Sequence, residues 1–207
     1  GSGMIDKKWK LAACIAVALS APAIAQTGGF DGLNFVKAVR DNDADKALPL
    51  LTSRAGVVNA TDTNGDTALT VAIARNDNMW TLFLLDRGAD PDMRGHNGDT
   101  PLIAAARVGY LEAAEQLLVR NAKVDLPNGK GETALMVAVQ QRRRDIVKLL
   151  LEQGANPDKT DNVAGLSARD YAKRDTRSRE ILGLIESSKT RAPKVPKVEK
   201  LEDFKLK

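Results

Sequence analysis

The segment NGDTPLIAAARVGYLEAAEQLLVRNAKVD, residues 97–125, has two ungapped counterparts in the chain, at residues 64–92 and 130–158. The first glycine, the first threonine, a central alanine and a pair of leucines recur in all three copies at a step of 33 residues. So many identities at one step predict an array in which a single supersecondary unit is stacked repeatedly. Weaker copies flank these three at a step of 34 residues, as expected for the end units of a solenoid, whose outer faces meet water.

Within each copy, the residue types predict a turn followed by two helices. The Asn-Gly dipeptides at 64–65 and 97–98 favour a tight hairpin turn with positive φ angles. The threonine two residues later is suited to cap the first helix, which small alanines keep thin. The second helix carries most of the apolar side chains, so Trp80 is expected in the core and Tyr110, at a helix start, half exposed. The capping threonines are Thr67, Thr100 and Thr133, and the residues expected to end the second helices are Gly88, Asn121 and Gly154.

The three copies resemble ankyrin repeats, and the resemblance extends from Phe30 to about Ser187. Thr-Pro-Leu at 100–102, Ala-Ala at 105–106 and the Leu-Leu and Gly-Ala pairs within 150–155 stand where the family has them. The resemblance implies an all-α repeat solenoid of ankyrin-like helix pairs with short β-hairpin fingers. About five units are expected, including irregular end caps, at residues 30–62, 63–95, 96–128, 129–161 and 162–188.

One family feature is missing from every copy. The histidine that usually follows Thr-Pro-Leu in the family, where it bridges adjacent turns, is replaced by Thr70, Ile103 and Met136. The overall composition still suits thin helical layers, since 43% of the residues are hydrophobic but only 4% are aromatic.

The N-terminal residues have the order of a signal peptide. Residues 1–3 precede the first methionine and are interpreted as a cloning remnant, and residues 4–25 run from a basic stretch through an apolar one to an Ala-x-Ala pattern. This pattern predicts cleavage after Ala25, a periplasmic or secreted location, and a short linker at 26–29. The apolar stretch is too short for about 30 Å of hydrocarbon, so no stable transmembrane anchor is expected after processing. Cys14 leaves a lipoprotein open as an alternative.

The formal net charge of +4 is concentrated at the two ends of the chain. Residues 1–25 contribute +2 and residues 189–207 contribute +4, so the remainder is about −2. The last segment, interrupted by two prolines, is predicted to be a disordered basic tail. Its functional interpretation is a weak contact with an acidic partner or an anionic envelope surface, and the alternative is a plain linker end. The tail residues expected to make contacts are Lys194, Lys197, Phe204 and Leu206.

Catalytic chemistry is not indicated by the sequence. The one histidine of the chain, His96, lies on an expected fingertip without cysteines or clustered carboxylates beside it. The glycines follow the repeat step rather than forming a phosphate-binding loop. We therefore expect no enzymatic activity, no metal site and no cofactor.

The resemblance implies a binding surface on the concave side, formed by the fingers and the exposed positions of the first helices. Its mixed charge and amide chemistry favours a protein partner over nucleic acid, and we expect the chain to be monomeric. The favoured interpretation is an exported adaptor or regulator of a periplasmic client, and the alternative is an envelope-surface spacer that docks through its tail. The arginines at 142–144 are interpreted as a solvated turn. The residues of the implied surface are Thr63, Asn64, Asp66, Arg75, His96, Asn97, Asp99, Arg107, Val108, Lys130, Glu132, Gln140 and Gln141.

Overall fold

A computed structural model describes the backbone of residues 23–188 and the side chains of residues 30–188 apart from residue 55. Cys14, most of the predicted signal peptide, and the tail contacts expected at Lys194, Lys197, Phe204 and Leu206 lie outside the described residues. Between residues 23 and 188, none of the helices combines the length and the apolar character needed to cross a membrane.

Ten α-helices and one short 3-10 helix follow one another in the described part of the chain, and the α-helices form five consecutive pairs. Short turns join the two helices of each pair, and longer finger loops join one pair to the next. The helices are α1 Ala23–Arg40, α2 Ala44–Ser53, α3 Ala68–Ala74, α4 Asn78–Asp86, α5 Pro101–Val108, α6 Leu111–Val119, α7 Ala134–Gln140, α8 Arg144–Glu152, α9 Ala168–Arg174 and α10 Arg179–Ser188, with the 3-10 helix at Ala55–Asn59.

The pairs stack into two layers. The first helices form one layer in which α1, α3, α5, α7 and α9 each contact the next, and α4, α6, α8 and α10 do the same in the second layer. Leu102 and Leu135 of the first helices and Leu117 and Leu150 of the second helices are at most 1% exposed. The core is therefore a continuous layer of apolar side chains between the two helical layers. The all-α repeat solenoid predicted from the sequence is confirmed.

The helix-starting signals of the sequence are confirmed in all three full copies. The hydroxyl oxygens of the capping threonines accept hydrogen bonds from the backbone N–H three residues later, and Pro101 occupies the first turn of α5. The central alanines at 72, 105 and 138 are completely buried, which lets neighbouring first helices approach closely. The expected left-handed residues after the second helices have φ angles of 86°, 63° and 84° at Gly88, Asn121 and Gly154.

The finger turns differ from the expected Asn-Gly geometry. The Gly65 N–H donates to the Asp62 carbonyl at 3.0 Å, and the Asp62 N–H donates to the Asp66 carbonyl at 2.9 Å. The Asp62 carboxylate also accepts from the N–H groups of Asn64 and Asp66, which keeps Asn64 out of the left-handed region. Only Gly65 has a positive φ, 89°, so the predicted turn with two positive φ angles is wrong. The observed turn is a three-residue loop whose last residue is left-handed.

Regular β-structure is scarce in the fingers. Among residues 23–188, the finger loops contain only isolated antiparallel bridges, Thr61 with Thr67 and Thr160 with Ser167. The fingers are thus hairpin-like turns held by a few backbone bonds and by side-chain caps rather than by paired strands.

Two further expectations are changed by the structure. Helix α1 includes the backbone of residues 26–29, where the sequence suggested a linker. Trp80 is buried as expected, but Tyr110 is buried too, at 6% exposure, rather than half exposed. The Trp80 indole donates to Asn42 Oδ1 at 2.7 Å and the Tyr110 hydroxyl to Asn78 Oδ1 at 3.1 Å, so each ring ties its helix to the preceding unit.

Candidate functional site

The finger between the first two units holds an ion-paired cluster. The Arg40 guanidinium lies 2.5 Å from Asp62 Oδ2 and 3.5 Å from Asp66 Oδ2. Asp66 also receives the next finger, because His96 Nδ1 lies 2.9 Å from Asp66 Oδ1 and the His96 N–H donates to the same atom at 3.3 Å. Partial burial raises the pKa of Asp66, but the hydrogen bonds and charge of His96 together with the hydrogen bond from Arg40 lower it below 3.8. Consecutive fingers are therefore linked by charge-assisted hydrogen bonds.

This contact gives a testable pH dependence. The hydrogen bond with Asp66 raises the pKa of His96 above 6.5 in the folded chain. A group whose folded pKa is raised adds stability that is fully present below pH 6.5 and is lost as the pH rises through the folded pKa. We expect an NMR titration of the single histidine to have its midpoint above 6.5, and the midpoint to fall towards 6.5 in Asp66→Asn. Identical midpoints in the two proteins would show that the contact does not form in solution.

The next finger holds a buried network. The Asp99 side chain is 5% exposed and accepts two hydrogen bonds from Arg107, at 2.9 Å from Nε and 3.1 Å from Nη2. The Asn128 amide donates to Asp99 Oδ1 at 2.9 Å and to Glu132 Oε2 at 2.8 Å. The hydrogen bond with Asp99 raises the pKa of Arg107. Asp99 was expected on the partner-facing surface, and this is corrected: its carboxylate is committed to groups inside the protein.

Two other predicted contact residues also have internal roles. Arg75 donates from Nη1 to the carbonyls of Val39 at 2.8 Å and Arg40 at 2.6 Å, and from Nη2 to Asp77 at 2.9 Å. It therefore satisfies the C-terminal carbonyls of α1 in the preceding unit. Val108 is half-buried and packs against the core. These two side chains join neighbouring units more than they extend outward.

Asp66, Arg107 and Glu132 also make hydrogen bonds within the fingers. The seven other predicted residues lie along the fingers and at the ends of the first helices, and we call them the finger surface. They come from three consecutive units and differ in charge and hydrogen-bonding type. Gln140 is half-buried and the other members are exposed. The finger surface consists of Thr63, Asn64, His96, Asn97, Lys130, Gln140 and Gln141.

The residues that shape the fingers were not singled out in the sequence. Asp62, Asn128 and Asp161 begin the first, third and fourth fingers, and each carboxylate or amide oxygen accepts backbone N–H groups of its own turn. Gly95 stands at the equivalent position of the second finger. Their positions follow the 33-residue step that governs the glycines and threonines, so the repeat alignment held the signal. The Tyr171 hydroxyl also donates to Asp161, and this hydrogen bond raises the pKa of Tyr171 to about 12.

The finger surface offers charges, amides and hydroxyls, which are groups for recognition. Within residues 30–188 no group of three or more histidine, cysteine, aspartate or glutamate side chains is placed to hold a metal ion. The hydrogen bonds between fingers fix the spacing of the surface side chains, because each finger is tied to the next. One example is the Asn162 N–H, which donates to the Lys130 carbonyl at 2.9 Å.

Comparison with known proteins agrees with this arrangement. A family model described as ankyrin repeats (3 copies) matches residues 35–128 and 76–161. The chain is also similar to an ankyrin repeat-containing protein of Treponema pallidum (strain Nichols), with 30% identity over 136 residues. That alignment covers 66% of this chain and 34% of the relative, so the chain spans about a third of the relative's length.

Proposed function

The chain belongs to the ankyrin repeat family, whose repeats generally mediate protein–protein interaction and are typically non-enzymatic, and from this premise we propose that it binds a protein client through its finger surface. The observation that carries the proposal is the row of exposed polar side chains on fingers that are tied to one another. In the full proposal, the chain is an exported adaptor or regulator of a periplasmic client. The export and the periplasmic location rest on the signal-like order of residues 4–25.

Preorganisation supports this use of the surface. Binding is weakened by the entropy lost when side chains and loops become ordered at an interface. Here the fingers are already fixed by the contact between His96 and Asp66 and by the hydrogen bond from Asn162 to the Lys130 backbone. A partner would therefore meet groups such as Lys130 and Asn97 in set positions, with little ordering left to complete.

The charge pattern favours a protein over a polyanion. The finger surface mixes one lysine, one histidine and several amides, whereas nucleic acid is bound by surfaces rich in lysine and arginine. Complementary charged and polar groups across an interface set the specificity and register of protein partners.

The test compares two matched double variants of the full chain. Lys130→Glu with Gln141→Glu alters the finger surface, while Lys148→Glu with Gln153→Glu makes the same chemical changes on the second-helix layer. All four side chains are exposed, and Gln141 and Gln153 both follow the last residue of a helix. Each immobilised protein is used to purify proteins from the native envelope fraction, followed by mass spectrometry. We expect wild type and the second-layer variant to retain the same client, and the finger variant to lose it.

The result also separates the proposal from its alternative. Retention of the client by the finger variant, with unchanged circular dichroism, would rule out the finger surface as the binding site. A third protein that lacks residues 189–207 tests the tail, and release from envelope fractions caused by this deletion alone would favour the spacer that docks through its tail.

A further inference from the structure

One edge of the last two units is strongly basic although the folded body is not. The α7–α8 and α9–α10 turns, residues 142–145 and 173–180, hold seven cations and three carboxylates, a net charge of +4. Residues 30–188 as a whole hold 21 cations and 23 carboxylates, a net charge of −2. Positive charge is therefore concentrated at this edge, beyond what a uniformly solvated surface of this composition would show.

An open cleft of about 330 Å³ lies at this edge, between the ends of α7 and α9. Its lining combines apolar surface with hydrogen-bonding and positively charged groups. We call it the basic cleft, and its lining residues are Val139, Gln140, Arg142, Tyr171, Arg174, Asp175 and Arg177.

One carboxylate of the protein itself already occupies part of the basic cleft. Arg142 Nε donates to Asp175 Oδ2 at 2.6 Å, and Arg177 Nε lies 3.7 Å from Asp175 Oδ1. The hydrogen bond from Arg142 lowers the pKa of Asp175 to about 2. A single carboxylate is thus shared by two guanidinium groups, so the charge of the arginines is only partly neutralised.

Donor groups remain available at the rim of the cleft. The Arg177 side chain is 76% exposed, and its one ion pair with the described residues is the long contact with Asp175. Arg174 is exposed and makes no ion pair among residues 30–188. A guanidinium presents donors in a planar fork that matches a carboxylate, so both side chains are suited to bidentate recognition.

We propose that the basic cleft binds an acidic segment of the protein client, with carboxylates of that segment reaching Arg174 and Arg177. This inference rests on the proposed function and names the chemistry of the partner. Gln140 lines the cleft and also belongs to the finger surface, so the two regions adjoin at this residue. The half-buried Tyr171 ring provides apolar contact for the backbone or stems of the bound segment.

Other occupants fit less well. The tail of the same chain, residues 189–207, carries a net charge of +4 and is repelled by the arginines. A bilayer presents a flat surface, whereas Arg142 is tied into the cleft by Asp175 and Tyr171 is half-buried. A second copy of the chain also fits less well. The most acidic turn among its described residues includes Asp43, and this carboxylate is already paired with Lys46 at 2.6 Å.

The experiment uses the full chain and a fluorescein-labelled octapeptide of alternating glutamate and aspartate, followed by fluorescence polarisation. We expect Arg174→Glu with Arg177→Glu to raise the Kd by about tenfold or more. The milder Arg174→Gln with Arg177→Gln should raise it in the same direction, which guards against a folding defect in the first variant. A matched control, Arg54→Glu with Lys123→Glu, reverses two exposed cations that make no side-chain ion pair in the described part of the chain, and should change the Kd by less than about twofold.

Several results would overturn the inference. Equal weakening in the cleft and control variants would mean that only net charge matters, and unchanged binding in the cleft variant would place the peptide elsewhere, such as on the tail. Binding to vesicles with 30% phosphatidylglycerol that needs Arg174 and Arg177, without binding of the peptide, would assign the cleft to a membrane. A wild-type dimer that the cleft variant abolishes in sedimentation velocity would assign it to a second copy.

The client purification separates this inference from the proposed function. The cleft variant should lose the client that Lys130→Glu with Gln141→Glu releases. If it retains that client, the acidic-segment inference fails while the finger surface stands. If the finger variant also retains the client, the proposed function fails, regardless of the result of the peptide-binding assay.

Discussion

Replacing Gly131 with alanine is expected to lower the free energy of unfolding by about 2–4 kcal/mol. Gly131 has a φ of 77°, a left-handed conformation that side-chain-bearing residues adopt only with strain. The added Cβ would also lie 2.9 Å from the backbone nitrogen of Asn162. That nitrogen donates to the Lys130 carbonyl at 2.9 Å, so the methyl group pushes apart the backbone link between the fourth and fifth units.

Two other finger glycines separate the strain from the clash. Gly98 has a φ of 78°, but a Cβ there would meet nothing closer than the Gly129 nitrogen at 3.3 Å. Gly98→Ala should therefore cost about 1–2 kcal/mol, and the bulkier Gly98→Val about 1–3 kcal/mol. Gly129 has no left-handed φ and no neighbour within 4 Å, so Gly129→Ala should change stability by no more than about 0.5 kcal/mol. Urea denaturation of the three alanine variants and Gly98→Val measures this order, and a Gly129→Ala loss equal to that of Gly131→Ala would contradict it.

The stacked architecture also predicts which units Gly131→Ala destabilises first. Each unit of a solenoid contacts only its neighbours, so a weakened link between the fourth and fifth units releases the last unit first. Amide hydrogen exchange in Gly131→Ala should accelerate in α9 and α10 before it accelerates in α5 and α6. Uniform acceleration across all helices would indicate global rather than local loosening.

The fold could be predicted from the sequence because the residues that determine it act locally. Thr67 and Thr133 cap their helices with their own side chains, and Gly88 ends its helix through its own backbone freedom. Such signals need no knowledge of the neighbouring unit. Repeated at one step, they define the units, and the completely buried alanines at the same step set the distance between them.

The burial and hydrogen-bond partners of individual surface residues could not be predicted as well, because they depend on side chains one unit away. Asp66 and Asp99 are equivalent positions of two copies, yet Asp66 is partly exposed and Asp99 is buried. The difference comes from their partners. Arg107 folds back onto Asp99, where the preceding copy has Ala74, and Asn128 reaches Asp99 from the next finger, where the preceding copy has Gly95. A periodic pattern identifies the position but not the partner that covers it.

For the same reason, the sequence predicts which surface faces a partner but not which individual residues of that surface are free to contact it. Lys130 and Gln141 are exposed as expected, whereas Arg75 hydrogen-bonds the carbonyls that end α1. Both kinds of residue occupy positions that the family resemblance assigns to partner contact. The tie made by Arg75 requires the end of α1 to lie within reach of its guanidinium, which only the three-dimensional stacking of the units establishes.

Asp99→Ala is expected to lower the free energy of unfolding by about 2–3 kcal/mol. The substitution removes the shared acceptor of Arg107 and Asn128. Asn128 is only 7% exposed, so water cannot fully replace the lost acceptor, although its contact with Glu132 remains. The Arg107 side chain is 39% exposed, and its partial hydration keeps the loss below that of a fully buried ion pair.

The equivalent substitution one unit earlier, Asp66→Ala, is the matched control, and its loss should be clearly smaller because His96 is 56% exposed and can be hydrated. Combining Asp99→Ala with Arg107→Met in a double-mutant cycle should reveal a coupling energy of about 1–3 kcal/mol. Urea denaturation of the single and double variants supplies these values. If Asp99→Ala costs no more than Asp66→Ala, the buried network does not stabilise the finger, and Asp99 must be considered again as a residue kept for a partner. A large coupling would instead assign Asp99 and Arg107 to the scaffold that holds the finger surface in place.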